Sequence, residues 1–373
     1  MTNSKKFFIA SVTLFLATLL FWGIYLVAFK KTSDSVTENS QKSNASQKTA
    51  TEKSKLAAIS TKTIVSPVLG KDGVSLLYYS KNDGSLNQID LAGNNNKVLS
   101  QINFPQIARA IWSPDKNKTL IDNASYFSFF DYSTGTTGGL NQNILNAAWQ
   151  NEEKIIYIFK DPASNKGSIN IANWDGTNWK KLIDLNFFNQ KLSSVPRSGL
   201  ISFWNNPSAS FETSFNTVTL LGGDAKQLLG GFFGADYLWS PSGNKILISH
   251  SNRKDGDRIV LGVADAQGQN YTDLGTPTFV SKCVWGNDSK TIYCALPGSL
   301  PEDSLLPDDY QAEKFYTSDT FWKINTESGE KERLVELNEL ESALDAQDLF
   351  LNQDESMLFF LNRKDKNIYR LKL

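Results

Sequence analysis

Histidine occurs once in this 373-residue chain, as His250, and cysteine twice, as Cys283 and Cys294. Zinc, haem and iron–sulfur centres draw on sets of such ligands, so the scarcity argues against all three and no cofactor or metal is expected. A Ser-His-Asp triad would have to use His250 as its base, and His250 reads more simply as a loop residue. Neither charge is in surplus, with 38 Lys and Arg against 39 Asp and Glu. Nucleic-acid binders carry a basic excess or stripe, and none is visible here, so no nucleic-acid partner is expected. Amphipathic helices are scarce as well. One segment beyond the N-terminal region has helical spacing, KERLVELNELESALDAQ at 331–347, and is read as a short helix on a loop. Aromatic residues, by contrast, make up 12% of the chain, ample material for a large core.

The longest apolar run is FFIASVTLFLATLLFWGIYLVAF, residues 7–29, which has no charge. As a helix it would extend roughly 35 Å, enough to cross a bilayer core of about 30 Å. A cleaved signal peptide is the alternative, but its apolar stretch would be shorter and end at small residues. We therefore expect a single transmembrane helix over 7–29, preceded by a tail at 1–6. Lys5, Lys6, Lys30 and Lys31 balance across it, so charge gives no direction. The short tail before a large C-terminal part favours an extracytoplasmic domain held at the cell membrane. Residues 30–60 are mostly Ser, Thr, Lys, Asn and Gln and cannot bury enough apolar surface to offset ordering, so they read as a disordered tether.

From residue 61 onward, β-branched and aromatic runs alternate with turn residues. One phrase recurs: WSPDKNKTLI from Trp112, WQNEEKIIYI from Trp149, WSPSGNKILIS from Trp239 and WGNDSKTIYC from Trp285. Weaker copies start at Ser66, Val195 and Leu351. The intervals are mostly about 37–47 residues, the period of stacked supersecondary units. Each copy reads as strand, turn, strand, then a third strand such as GSLNQIDLAG (84–93) or TFWKINTESG (320–329). The expected fold is all-β, a seven-bladed β-propeller of four-stranded blades over 61–373, preceded by the transmembrane helix. A β-sandwich with repeated Trp–turn hairpins is the competing architecture. In the propeller, each Trp would end an inner strand and face the next blade, and ring closure would cover edges that no single blade can cover. The last copy stops at its third strand, so the missing outer strand has to come from elsewhere. TKTIV, residues 61–65, is the expected donor.

The phrases WSPDKNK and WSPSGNK resemble the Trp/Phe-Ser-Pro-Asp-Gly repeat of TolB-type propellers, shared with the propeller domains of dipeptidyl-peptidase-type serine peptidases. WD-repeat proteins are a poorer match, because Trp174-Asp175 does not recur and no Gly-His pair accompanies it. The resemblance implies a propeller with a tendency to bind proteins or peptides. It implies no peptidase activity, since no Gly-x-Ser-x-Gly elbow is present. The N-terminal anchor departs from TolB, which is soluble.

CVWGNDSKTIYC places Cys283 and Cys294 on the two arms of one hairpin. With the turn near Asp288 and Ser289 they face each other, and directly opposed strand residues lie about 4.5–5.5 Å apart at Cα, within disulfide reach. Two buried free thiols are the alternative.

In a propeller the connections from second to third strand share a face with the blade-to-blade connections. The longest candidate there is LPGSLPEDSLLPDDYQAEKFYTSD at 296–319. Its prolines stiffen it, and Glu302, Asp303, Asp308 and Asp309, beside Tyr310, make it acidic. It reads as a lid or partner-binding loop, or as a surface excursion covering a blade edge. Its oxygens suit calcium, but the EF-hand spacing is missing. Arg253, Lys254, Arg258, Arg363 and Lys364 would form a basic rim opposite the insert, or else simply be solvated loop charges. Phe232 and Phe233, between glycines, would serve as contact anchors on a blade connection or pack into the top of the channel.

Two functions follow from this reading, beside a third, purely structural role in the cell envelope. One is a membrane-anchored extracytoplasmic binding or scaffolding module for a protein, peptide or glycan. The other is a propeller enzyme of glycoside hydrolase or lyase type, which would need two carboxyls about 5–9.5 Å apart. For that role Asp255, Asp303, Asp308 and Asp309 are the candidates.

Overall fold

The computed structural model describes residues 55–340 and 342–373. The segments expected as tail and transmembrane helix, and most of the expected tether, lie outside the described residues.

The repeat phrase folds as expected at Trp239. Asp236–Trp239 is an inner strand, Ser-Pro-Ser-Gly-Asn turns, and Lys245–Ser251 returns antiparallel with Trp239 opposite Ile246. Gly243 makes the turn with φ +71°, and a Cβ there would collide with the Pro196 carbonyl of the preceding blade. Seven four-stranded antiparallel sheets are built in this way. Their inner strands are Ile64–Leu69, Arg109–Trp112, Ile144–Trp149, Gln190–Ser194, Asp236–Trp239, Cys283–Trp285 and Ala346–Leu351, which number blades 1 to 7.

Seven hydrophobic clusters hold the ring, one at each blade junction. Between blades 4 and 5, for example, Trp204 and Phe215 pack on Tyr237, Trp239 and Ile248. Leu361 and Ile368 of blade 7 meet Ile64, Leu76 and Tyr78 of blade 1. Since each sheet buries both faces against its neighbours, burial along its central strands is continuous rather than alternating, as in Ser75–Ser80.

Two expectations are corrected. The strand that closes the ring is Leu56–Ala58, which pairs with Ile368–Lys372 in the register Leu56 to Leu371 and Ala58 to Tyr369. Residues 61–65 do not play that part. Ile64 and Val65 begin the inner strand of blade 1, where Ile64 packs toward blade 7 and Val65 toward blade 2. Two strongly apolar side chains facing both neighbours bury more in the ring than on its rim. The ordered ring therefore begins within the segment expected as tether. The expected helix at 331–347 is also absent. Lys331–Arg333 is a strand, Leu337–Glu339 a single 3-10 turn, and Ala346–Leu351 the next inner strand. Leu334, Val335, Leu344 and Ala346 are pulled into the core between blades 6 and 7, while Leu337 is exposed, so no shared helical face forms.

Cys283 lies opposite Cys294 in the blade 6 hairpin, and the two are joined as a disulfide with Cα atoms 4.2 Å apart.

Candidate functional site

The connections from second to third strand and from blade to blade emerge on one face, here called the loop face. The central channel opens on it as a cavity of about 1200 Å³. Its walls are the inner strands of blades 1, 2, 3, 4 and 7, with Ile111, Trp112, Ala148 and Phe350 among the apolar lining.

Four cations line this cavity, drawn from blades 1, 2, 4 and 7. Lys81 stands on the loop after Ser75–Ser80, and its ammonium donates to the Ile107 carbonyl. Arg109, the first residue of its inner strand, donates to Asp122 at 3.1 Å and Asn146 at 3.4 Å. Lys191 pairs with Asp236 at 2.7 Å, and Lys366 lies 3.5 Å from Glu313. Among the described residues lining the cavity, Asp348 is the one carboxylate. It sits in a bulge of the blade 7 inner strand at φ +52°, so its side chain is turned out of the regular pleat. Asp348 is exposed to the cavity, yet the low-dielectric walls around it raise its carboxyl pKa above the ordinary value, and the opposing pull of Lys366, Arg109 and Arg363 is the smaller effect.

Blades 5 and 6 contribute nothing to that cavity, because the long insert of blade 6 lies across their end. Leu306 and Tyr310 of the insert are buried with Ile259 and Phe279, and the Tyr310 ring stacks on Phe279 at 4.5 Å. Beneath it remains a smaller pocket of about 220 Å³ that includes Asp236, Gln311, Gln347 and Arg363.

The insert is anchored on a buried charge network. Lys282 is fully buried and donates to Asp319 at 2.6 Å, Asp345 at 2.7 Å, Thr317 at 3.0 Å and the Ala346 carbonyl at 3.1 Å. The Tyr310 hydroxyl donates to Asp345 at 2.7 Å, and the Arg363 guanidinium lies 4.1 Å from the Tyr310 ring centre. Burial raises the pKa of Asp319 against the pull of Lys282. For Asp345, burial is outweighed by Lys282, the Tyr310 hydroxyl and the Thr317 amide together, and its pKa is lowered.

The residues expected from sequence are distributed as follows. Tyr310 and Arg363 come together in the network, and Arg363 also reaches Glu313 at 3.4 Å. Asp308 caps the Ala209 amide and Asp309 pairs with Lys314 at 2.7 Å, which hold the insert rather than face the channel. Glu302 and Asp303 are exposed on the insert. Arg253 pairs with Asp257 in its own loop, Lys254 and Arg258 are exposed, and Lys364 donates to the Ala343 carbonyl. Asp255 accepts from the Ser210 hydroxyl. Phe232 and Phe233 end the outer strand of blade 4, where Phe232 packs on His250 and Tyr271. His250, expected on a loop, instead lies in the strand Lys245–Ser251 opposite Val260; it bonds Tyr271 at 2.8 Å, and burial lowers its pKa. Sequence reasoning missed Lys81, Arg109, Lys191, Lys366 and Asp348. Counting three residues back from each inner-strand Trp would have placed Arg109 at the channel mouth, since that is where its strand begins.

The loop face also carries most of the exposed aromatic side chains. Tyr126 and Phe211 lie on connections from second to third strand, Phe187 on the connection from blade 3 to blade 4, and Tyr316 on the insert, exposed by 48%, 69%, 74% and 47%. On the opposite face, among the described residues, Trp179 is the one exposed aromatic.

No protein-family model matches the chain, and no curated protein matches its sequence. Solved structures do. An oligogalacturonate lyase in complex with manganese superimposes with a TM-score of 0.59 at 13% identity, covering 85% of this chain and 93% of that one. The oligogalacturonate lyase of Vibrio parahaemolyticus gives 0.59 at 11% identity, covering 87% and 94%. TolB from Acinetobacter baumannii gives 0.46 at 14% identity, covering 72% and 62%. At such identities the likeness to the two lyases is one of fold alone.

Proposed function

We propose that this chain is a membrane-tethered binding propeller that presents its loop face to a protein, peptide or glycan outside the cytoplasm. The observation that carries the reading is the exposure of Tyr126, Phe187, Phe211 and Tyr316 on the face where the channel opens. Aromatic side chains are among those that dominate binding energy at interfaces, and a face with no partner has no reason to concentrate them. The anchor and tether read from the residues before Leu56 would hold the ring off the bilayer without fixing its orientation.

The enzyme reading is supported by the two lyases that share the fold. A glycoside hydrolase would require paired carboxyls, and the described lining of the main cavity has Asp348 alone; elimination by a lyase needs no such pair. Among the described residues no three His, Cys, Asp or Glu side chains gather as a metal site, so the manganese of the lyase complex has no evident counterpart here. Binding is the better supported function.

The test is a mixed array of neutral glycans, acidic glycans and peptides probed with the full chain in detergent. Retention of one ligand class, lost in a Tyr126→Ser/Phe211→Ser variant that keeps its melting temperature, supports the proposal. Binding unchanged in that variant, or turnover of an arrayed glycan, overturns it.

A further inference from the structure

Resting on the reading of the residues before Lys55 as anchor and tether, we propose that the face opposite the loop face docks on the lipid surface, with Trp179 and Leu221 inserted at its interface. The turns from first to second strand and from third to fourth strand emerge on this face. Trp179 ends the turn between Gly167–Asn173 and Lys180–Leu185 of blade 3, and Leu221 stands in the turn between Glu212–Thr219 and Lys226–Phe233 of blade 4. They are 65% and 84% exposed. Leu220 packs into the junction of blades 3 and 4, which turns its neighbour Leu221 outward. The two turns meet across that junction. The Lys180 ammonium donates to the Leu221 carbonyl at 3.3 Å, and a Cβ on Gly222 would come within 2.7 Å of the Leu182 carbonyl.

The place where the described chain begins selects the occupant. Leu56–Ala58 runs antiparallel to Ile368–Lys372, so its first residue lies beside the last residues of the ring. The Lys55 carbonyl accepts from the Lys372 amide at 2.9 Å, and the Leu373 amide donates at 2.9 Å to the Ser356 carbonyl in the first turn of blade 7. That turn is on the opposite face, so the chain before Lys55 leaves the ring there, away from the loop-face aromatics. In a ring of seven blades the junction of blades 3 and 4 stands across the axis from blade 7. The departing chain and the Trp179–Leu221 pair therefore occupy opposite rims of one face. A flexible tether by itself leaves the ring off the surface and at any angle. A second contact at the far rim brings the whole face down along the surface.

The chemistry of the pair suits lipid better than protein. A Trp ring settles at the level of the headgroups, and a Leu beside it reaches the acyl chains. Two side chains are too few for a stable protein interface, which engages about 20–30 residues a side. They are enough for a ring already tethered to the membrane, because the tether makes the contact intramolecular. In these two turns and the adjoining turn at 196–199, Lys180, Arg197 and Lys226 outnumber Asp175 and Asp224 by one. Insertion of the apolar side chains thus carries the contact, and headgroup charge adds little to it.

The proposal is tested with the full chain reconstituted in phosphatidylcholine vesicles that contain nitroxide-labelled lipid. A polarity-sensitive fluorophore is attached through Ala225→Cys, on the Leu221 turn, or through Ser125→Cys, on the loop face. Both positions are exposed, whereas Cys283 and Cys294 are buried in their disulfide. Fluorescence from position 225 is expected to be quenched several-fold more than that from position 125. It is expected to fall to the level of position 125 in a Trp179→Ser/Leu221→Ser variant whose melting temperature is unchanged. Equal quenching at the two positions overturns the proposal, as does stronger quenching at 125, quenching at neither, or quenching at 225 that survives the double substitution. Washing the vesicles with alkaline carbonate reads the anchor separately. If the chain resists the wash while the two labels respond alike, the docking face falls and the anchor reading stands. If the chain washes off although position 225 was selectively quenched beforehand, the anchor reading falls and the docking face stands as the ring's own lipid contact.

Discussion

The indole N–H of Trp149 donates to the main-chain carbonyl of Ile111 at 2.8 Å, one residue before Trp112 on the neighbouring blade. Trp112 in turn donates to Ser66 at 2.8 Å, and Trp285 to Leu238 at 3.2 Å. The inner strand of a blade has no strand beyond it toward the axis, so its carbonyls need partners from elsewhere. In blades 2, 3 and 6 the Trp supplies one to the preceding blade and packs its ring in the junction. Trp239 departs from the rule and donates to the Ser202 hydroxyl at 2.9 Å, on the second strand of blade 4. Replacing Trp149 by Phe keeps most of the ring and removes the bond. We expect a loss of about 1 kcal/mol in urea unfolding, against about 3–5 kcal/mol for Trp149→Ala.

Ring closure depends on Leu56–Ala58. Beyond the strand register itself, the Ile59 amide donates to the Ile368 carbonyl and the Ser60 hydroxyl accepts from the Ile368 amide, each at 2.9 Å. A chain starting at residue 61 should lose cooperative thermal unfolding or melt well below one starting at residue 55. Equal melting would show that blade 7 is complete without this strand.

Lys282 faces two buried carboxylates, and its removal leaves them uncompensated. Lys282→Met is expected to cost about 3–5 kcal/mol by chemical denaturation. Adding Asp319→Asn and Asp345→Asn should recover part of that loss, since the repulsion goes with the charges. The wild-type network also sets an acid limit. Asp345 has a lowered folded pKa, so its stabilisation is present above the unfolded value of about 4 and is lost as pH falls through the lower folded value. Asp319, whose pKa is raised, works in the opposite sense.

Asp348 should act on stability in the direction opposite to Asp345. Its raised pKa means that ionisation disfavours the folded state once pH exceeds the unfolded carboxyl value. Asn tolerates the positive φ at this position. Asp348→Asn is therefore expected to raise the melting temperature at pH 7, with the difference vanishing below the ordinary carboxylate range. A melting temperature unchanged at every pH would remove Asp348 from the electrostatics of the channel.

The ring was legible because its physics repeats. A Trp that must reach the preceding blade and a turn that must reverse a strand leave the same short phrase in several places, down to Cys283 facing Cys294 and Tyr237 facing Ile248. Leu56–Ala58 was not legible: three residues in polar surroundings show no alternation, and only the missing edge of blade 7 gives them a role. The buried network was hidden for a different reason. Lys282 lies 37 residues from Asp319 and 63 from Asp345, and each looks like an ordinary loop charge until the blades meet. The acidic insert drew attention through its composition, yet Asp308 and Asp309 spend their charge holding the insert to the ring. The channel cations are scattered singly over four blades, so no local run of sequence marks them.

The most direct test of the central claim is site-specific photo-crosslinking in intact cells. A photoreactive residue is placed on the loop face at Tyr126 or Phe211, and on the opposite face at Trp179 or Leu221. The account predicts a reproducible protein, peptide or glycan adduct from the first pair and none from the second. Adducts confined to Trp179 and Leu221, or the same adducts from all four positions, would contradict it.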